Sequence, residues 1–265
     1  MIAVAVAAVV GVVISGFVAV PLHRFKELRP LTPRNVAAES GVTIRAVYRH
    51  ARCPRCHHDN SARDWPPVIS WFRGCPVCAL PAPRTLVLVQ LGLPLALAIT
   101  AAVFDRVQDP AAYVTVVVAY GWFCLVATAV SVVDARVWLI PWWMPWVGAG
   151  VGLVLLGLAA GVLGEPERLL WAVGSAAAAF ALFFVLFTAA PGKLGFGDVR
   201  LVVLIGLFAG FIDPLLVLWS LILGSILGVV VGVVSAARGR GSHFAFGPAL
   251  TAGALLAIWF SEVLL

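Results

Sequence analysis

Two aspartates stand at the edges of apolar runs in a chain that otherwise keeps its acids away from such segments: Asp134 in SVVDARVWLIP and Asp198 in KLGFGDVRL. A carboxylate held in or near hydrocarbon costs about 2.5 to 3.5 kcal/mol at the middle of a helix, less near the interface. Two that persist suggest a working pair. Brought together in a partly desolvated site, two carboxylates do not both ionise easily and share a proton. The ionised partner activates water as general base while the protonated one polarises a peptide carbonyl, which is aspartic-type peptide hydrolysis. The chain carries no Ser-His arrangement and no HExxH pattern that would offer another hydrolytic chemistry. Two blander readings stay open on these residues alone. Each aspartate can be a helix cap or an ion-pair partner, for Arg136 or Arg200, and the same two acids can serve as a relay in a proton- or ion-coupled transporter.

The elements that must position this pair follow from composition. Of the 265 residues, 62% are hydrophobic and 11% charged, with a mean hydropathy of +1.05. A soluble globule is nearer half apolar and a quarter charged, so the expected class is an all-α polytopic membrane protein. Apolar stretches bounded by charge, Pro or Gly predict about eight transmembrane helices, near 2–22, 85–104, 112–133, 142–163, 169–190, 198–212, 215–236 and 246–264. The first lacks a charged leading region and a small-residue cleavage site, so it reads as a retained helix rather than a cleaved signal.

With an even number of spans both termini share a side. Placing the Arg-rich segment 23–84 in the cytoplasm puts all but Arg106 and Arg168 of the 18 basic residues inside. The termini are then outside, and Asp134 and Asp198 lie at the cytoplasmic ends of their helices. Trp138, Trp142, Trp143 and Trp146 mark a headgroup-level turn just beyond Asp134. A helix from Asp198 to Ile212 rises only about 22 Å against a hydrocarbon core of about 30 Å, which recesses Asp198 below the cytoplasmic surface. Gly195 and Gly197 before it allow a close approach by another segment. The net charge of +6 and pI near 9.5 are accounted for by basic loops facing anionic lipid, so no nucleic-acid partner is expected.

The domain organisation expected is a first helix at 1–22, a soluble insert at 23–84 and a membrane core at 85–265. The insert holds Cys53-Pro-Arg-Cys56 and Cys75-Pro-Val-Cys78. Two CxxC knuckles supply four thiolates for a closed tetrahedral zinc site of zinc-ribbon type, structural because no coordination position is left for water. A redox pair or unligated thiols are the alternatives, and His57 and His58 adjoin the knuckle as competing donors. Cys124, alone in the third span, reads as helix packing. The strip from Trp65 to Phe72 packs the knuckles together or lies on the membrane surface.

These motifs, in order, resemble the bacterial type IV prepilin peptidases, membrane aspartyl proteases of the GxGD type. The resemblance runs through Gly11–Arg24, the two knuckles with Pro67–Trp71 and Arg73–Cys75 between them, and Asp134 followed six and seven residues on by Ile140-Pro141. It continues through Gly195-Phe196-Gly197-Asp198-Val199-Arg200-Leu201 and ends at Phe246-Gly247-Pro248. It implies that Asp134 and Asp198 are the catalytic pair and that Cys53, Cys56, Cys75 and Cys78 hold zinc. It further implies a prepilin or pseudopilin substrate in the bacterial cytoplasmic (inner) membrane, cut after its basic leader at the cytoplasmic face. Methylation of the new N-terminus from S-adenosylmethionine is implied for many members. The chain departs from the family's usual pattern at Trp142, where Asp or Asn is common, at Arg200, where Lys is, and at Gln90, the nearest equivalent of a common glutamate.

Overall fold

The structure, a computed structural model, describes residues 2–24, 77–78, 84–190, 194–237 and 245–265. Among these residues the regular elements are helices: α1 (Ile2–Arg24), α2 (Arg84–Val103), α3 (Pro110–Val137), α4 (Trp143–Leu163), α5 (Glu167–Ala189), α6 (Phe196–Ile212), α7 (Pro214–Ala237), α8 (Gly247–Trp259) and a final turn α9 (Ser261–Leu264). A 3-10 turn at Phe104–Arg106 follows α2. Among the described residues five helical stretches are long and apolar enough to cross a membrane: Val89–Arg106, Pro110–Ala135, Trp143–Leu163, Glu167–Ala189 and Pro214–Ala237. The chain is a multi-pass membrane protein.

The stretch expected as one span over 246–264 is divided. Helix α8 ends at Trp259, Phe260 leaves helical geometry, and α9 follows as a separate turn. There the Arg106 guanidinium pairs with Glu262 and also reaches the Ser261 hydroxyl, so charged and polar contacts replace a continued apolar helix.

Contacts between residues divide the chain into two units, one of residues 1–99 with 136–138, the other of residues 100–135 with 139–265. In the first, Gly11 of α1 lies against Pro94 of α2, where an added Cβ would stand 2.6 Å from the Pro94 Cα. The second unit is built around α6. Helices α4, α5, α7 and α8 all pack on it, and nearly every residue from Asp198 to Phe211 is buried. At 17 residues α6 is short for a bilayer.

Small residues allow these approaches. A Cβ on Gly210 would meet the Ser175 Cβ at 2.4 Å, and one on Gly253 of α8 would meet the Gly224 backbone nitrogen of α7 at 2.2 Å. Aromatic rings fill the space where α3 meets α6. Phe123 stacks on Phe208 at 4.9 Å, Tyr120 meets Phe208 edge-on at 5.6 Å, and the Tyr120 hydroxyl donates to the Phe208 carbonyl at 2.8 Å. The Trp122 indole donates to the Gly148 carbonyl of α4 at 3.0 Å.

Candidate active site

The inward stripe of α3 runs through Val116, Tyr120, Phe123, Ala127, Val130 and Asp134, all buried. This is helical spacing, so Asp134 is the polar end of an otherwise apolar seam. Asp198 is in the first turn of α6, after an extended residue at Gly195. Asp134 is 5% exposed and Asp198 8%, and among the described residues they are the only buried side chains of the Asp, Glu, Lys, Arg and His types.

Several other described acids have ordinary structural roles. Asp109 caps α3 by accepting from the Ala112 amide at 2.7 Å, and Asp213 caps α7 through the Leu215 amide at 2.7 Å. Glu165 pairs with Arg168 and Glu262 with Arg106. Among the described residues neither buried aspartate has an ion-pair partner, and the Arg200 guanidinium lies over the Phe196 ring, 4.5 Å from its centroid.

The two aspartates meet through three turns. The Asp134 Oδ2 atom accepts the Gly247 backbone N–H at 2.8 Å, which fastens the end of α3 to the start of α8. Only glycine fits there, because a Cβ on residue 247 would stand 2.7 Å from that same oxygen. Ile140 fills the gap between the two glycine turns: its side chain would lie 2.9 Å from a Cβ on Gly197 and 3.3 Å from one on Gly247. The Asp198 carboxylate folds back over Gly195, its Oδ2 3.2 Å from where a Cβ on that glycine would stand. The structure therefore brings together Asp134, Asp198, Ile140, Gly195, Gly197 and Gly247.

The role of the Gly247 amide is invisible in the sequence, where Phe246-Gly247-Pro248 shows only that a helix begins. A further pair, Ser131 and Thr251, also joins α3 to α8, with their hydroxyl oxygens 2.6 Å apart. The spacings that place them, three residues before Asp134 and four after Gly247, are legible only once α3 and α8 are known to be neighbours.

The four-cysteine site falls almost wholly outside the described residues. Cys53, Cys56 and Cys75 are not among them, and Cys78 is in a turn with Val77. Among the described residues no group of three or more His, Cys, Asp or Glu side chains is placed to hold a metal. Gln90 is buried in α2.

The fold and the site together define a polytopic helical membrane protein with a buried aspartate pair at the meeting of three helix ends. Residues 121–233 match the model of the type IV leader peptidase family. This segment holds both aspartates. Over 97% of its length the chain is 28% identical to a prepilin leader peptidase/N-methyltransferase of Stutzerimonas stutzeri, of which the alignment covers 91%. No solved structure matches the chain.

Proposed function

We propose that this protein is a membrane aspartic endopeptidase that removes the leader from type IV prepilin-like or pseudopilin substrates, with Asp134 and Asp198 as its catalytic pair. The observation that carries the reading is the company these two residues keep. They are buried, without an ion-pair partner among the described residues, and set at glycine turns that Ile140 links and that leave room for little else.

In this mechanism one carboxylate is ionised and takes a proton from water, whose oxygen attacks the scissile carbonyl carbon. The other, protonated, gives its proton to the carbonyl oxygen. Collapse of the tetrahedral intermediate passes a proton to the departing amine and restores the shared-proton state. The Gly247 amide fixes one oxygen of Asp134 and leaves the other for water. The substrate lies along the bilayer, with its scissile bond where its basic leader meets its apolar helix.

The remaining placements belong to the same proposal. The active site and the 23–84 insert face the cytoplasm, both termini face outward, and the membrane is the bacterial inner membrane. Cys53, Cys56, Cys75 and Cys78 bind one structural zinc, which takes no part in the peptide-bond step. N-methylation from S-adenosylmethionine is a separate activity whose warrant is the name of the Stutzerimonas stutzeri relative; no residue described here is assigned to it.

Cleavage of a panel of membrane-embedded prepilin-like substrates by the purified protein tests the reading. Removal of the leader at a single bond is the expected result, and absence of cleavage across the panel contradicts it. Labelled S-adenosylmethionine in the same reaction decides the second activity, since an unlabelled mature product means peptidase alone.

A further inference from the structure

We propose that Ser131 and Thr251 form a positioning clamp that sets the direction of the Asp134 carboxylate. This rests on the peptidase reading and extends it to residues that do not touch the substrate.

The two hydroxyls meet across the α3–α8 interface, with 2.6 Å between Ser131 Oγ and Thr251 Oγ1. Each also lies near the carbonyls of its own helix. Ser131 Oγ is 2.7 Å from the Ala127 carbonyl, and Thr251 Oγ1 is 3.0 Å from that of Gly247 and 3.1 Å from that of Pro248. A serine or threonine in an apolar helix commonly satisfies itself by such a bond to its own backbone, and then does nothing else. Here that account is insufficient. Two hydroxyl protons serve the two helices' carbonyls and the bond between the hydroxyls, so one of the pair must donate across the interface.

The clamp's position gives it a function. Thr251 contacts the carbonyl of Gly247, the residue whose N–H holds Asp134 Oδ2. Ser131 is three residues before Asp134 on α3, about 4.5 Å along the helix axis. The ends of α3 and α8 are therefore joined at two points, once through Asp134 itself and once through the hydroxyl pair. Beyond the Tyr120, Trp122 and Phe123 contacts, a single attachment would let the last turns of α3 shift about it, and that shift would swing the free Oδ1 away from where water must be activated. A second attachment removes that freedom. Thr251 is 2% exposed, so water offers its hydroxyl little substitute.

The test is steady-state cleavage of a prepilin-like substrate by purified wild type, Thr251→Val, Thr251→Ser, Ser131→Ala and the Ser131→Ala/Thr251→Val double variant, each checked for an unchanged size-exclusion profile. Thr251→Val keeps the shape and removes the hydroxyl; Thr251→Ser keeps the hydroxyl. Removing either hydroxyl is expected to lower kcat roughly tenfold with KM unchanged, the mark of a misdirected catalytic group and not of lost substrate binding. Thr251→Ser is expected to retain wild-type kcat, and the double variant to be no slower than the worse single one, because each single change already breaks the same bond. A wild type that cuts with Thr251→Val equally fast overturns the clamp alone. So does a Thr251→Ser variant as slow as Thr251→Val, which would assign the effect to packing. A wild type that cuts nothing overturns the peptidase reading beneath it.

Discussion

At the scale of single residues, the site is a matter of which side chains leave space. Gly247 donates to Asp134 and cannot carry a Cβ without displacing it, since that atom would fall 2.7 Å from the carboxylate oxygen it binds. Gly247→Ala is therefore expected to lower kcat about a hundredfold, as a displacement near 1 Å does at a reacting group. Membrane insertion should be unaffected, and kinetics beside a membrane-extraction profile check both. Asp134→Asn and Asp198→Asn keep the volume of each side chain and remove its acid–base function, so each is expected to abolish cleavage in a normally inserted protein. Much of this was legible from residue types. An acid at the end of an apolar run and a Gly-x-Gly-Asp turn already mark Asp134 and Asp198 as exceptional. That neither has an ion-pair partner among the described residues, and that Asp134 binds the start of a distant helix, was not legible, because Asp109 and Asp213, which cap their own helices, look no different in the sequence.

At the scale of elements, the helices stand near the apolar stretches that predicted them, since 20-odd apolar residues between charges and prolines admit little else. The last stretch was the exception. Hydropathy runs on past Trp259, and nothing local announces that Phe260 breaks the helix while Arg106 pairs with Glu262 and reaches Ser261. Helix neighbours were equally hidden, because α6 is apolar all round and gives no preferred face. Its packing depends on close approach, and this yields a prediction. Gly253→Ala places a Cβ 2.2 Å from the Gly224 backbone nitrogen, whereas Gly161→Ala meets nothing within 4 Å. The first should destabilise by roughly 1 to 3 kcal/mol through overpacking. The second should be neutral or stabilise by about 0.5 to 1 kcal/mol through helix propensity. Thermal denaturation of the two variants in one detergent compares them directly.

At the scale of the whole molecule, one chain carries both a buried aspartate pair and a cysteine-bearing segment. The asymmetry of the basic residues predicts that segment 23–84 faces the cytoplasm. Single reporter cysteines in that loop and in the Gln108 region, on a cysteine-free background, should react with a membrane-impermeant reagent from opposite sides. Metal analysis should find one zinc per chain, reduced when Cys53 or Cys78 is replaced by serine. Neither result concerns the proposed chemistry, which rests on the two aspartates. The most direct measurement is therefore cleavage of one prepilin-like substrate in a bilayer by wild type and by Asp198→Asn, both shown to be inserted and folded. A single cut after the leader by wild type and none by the variant is the expected result. Equal cleavage by both would contradict the aspartate pair as the catalytic centre.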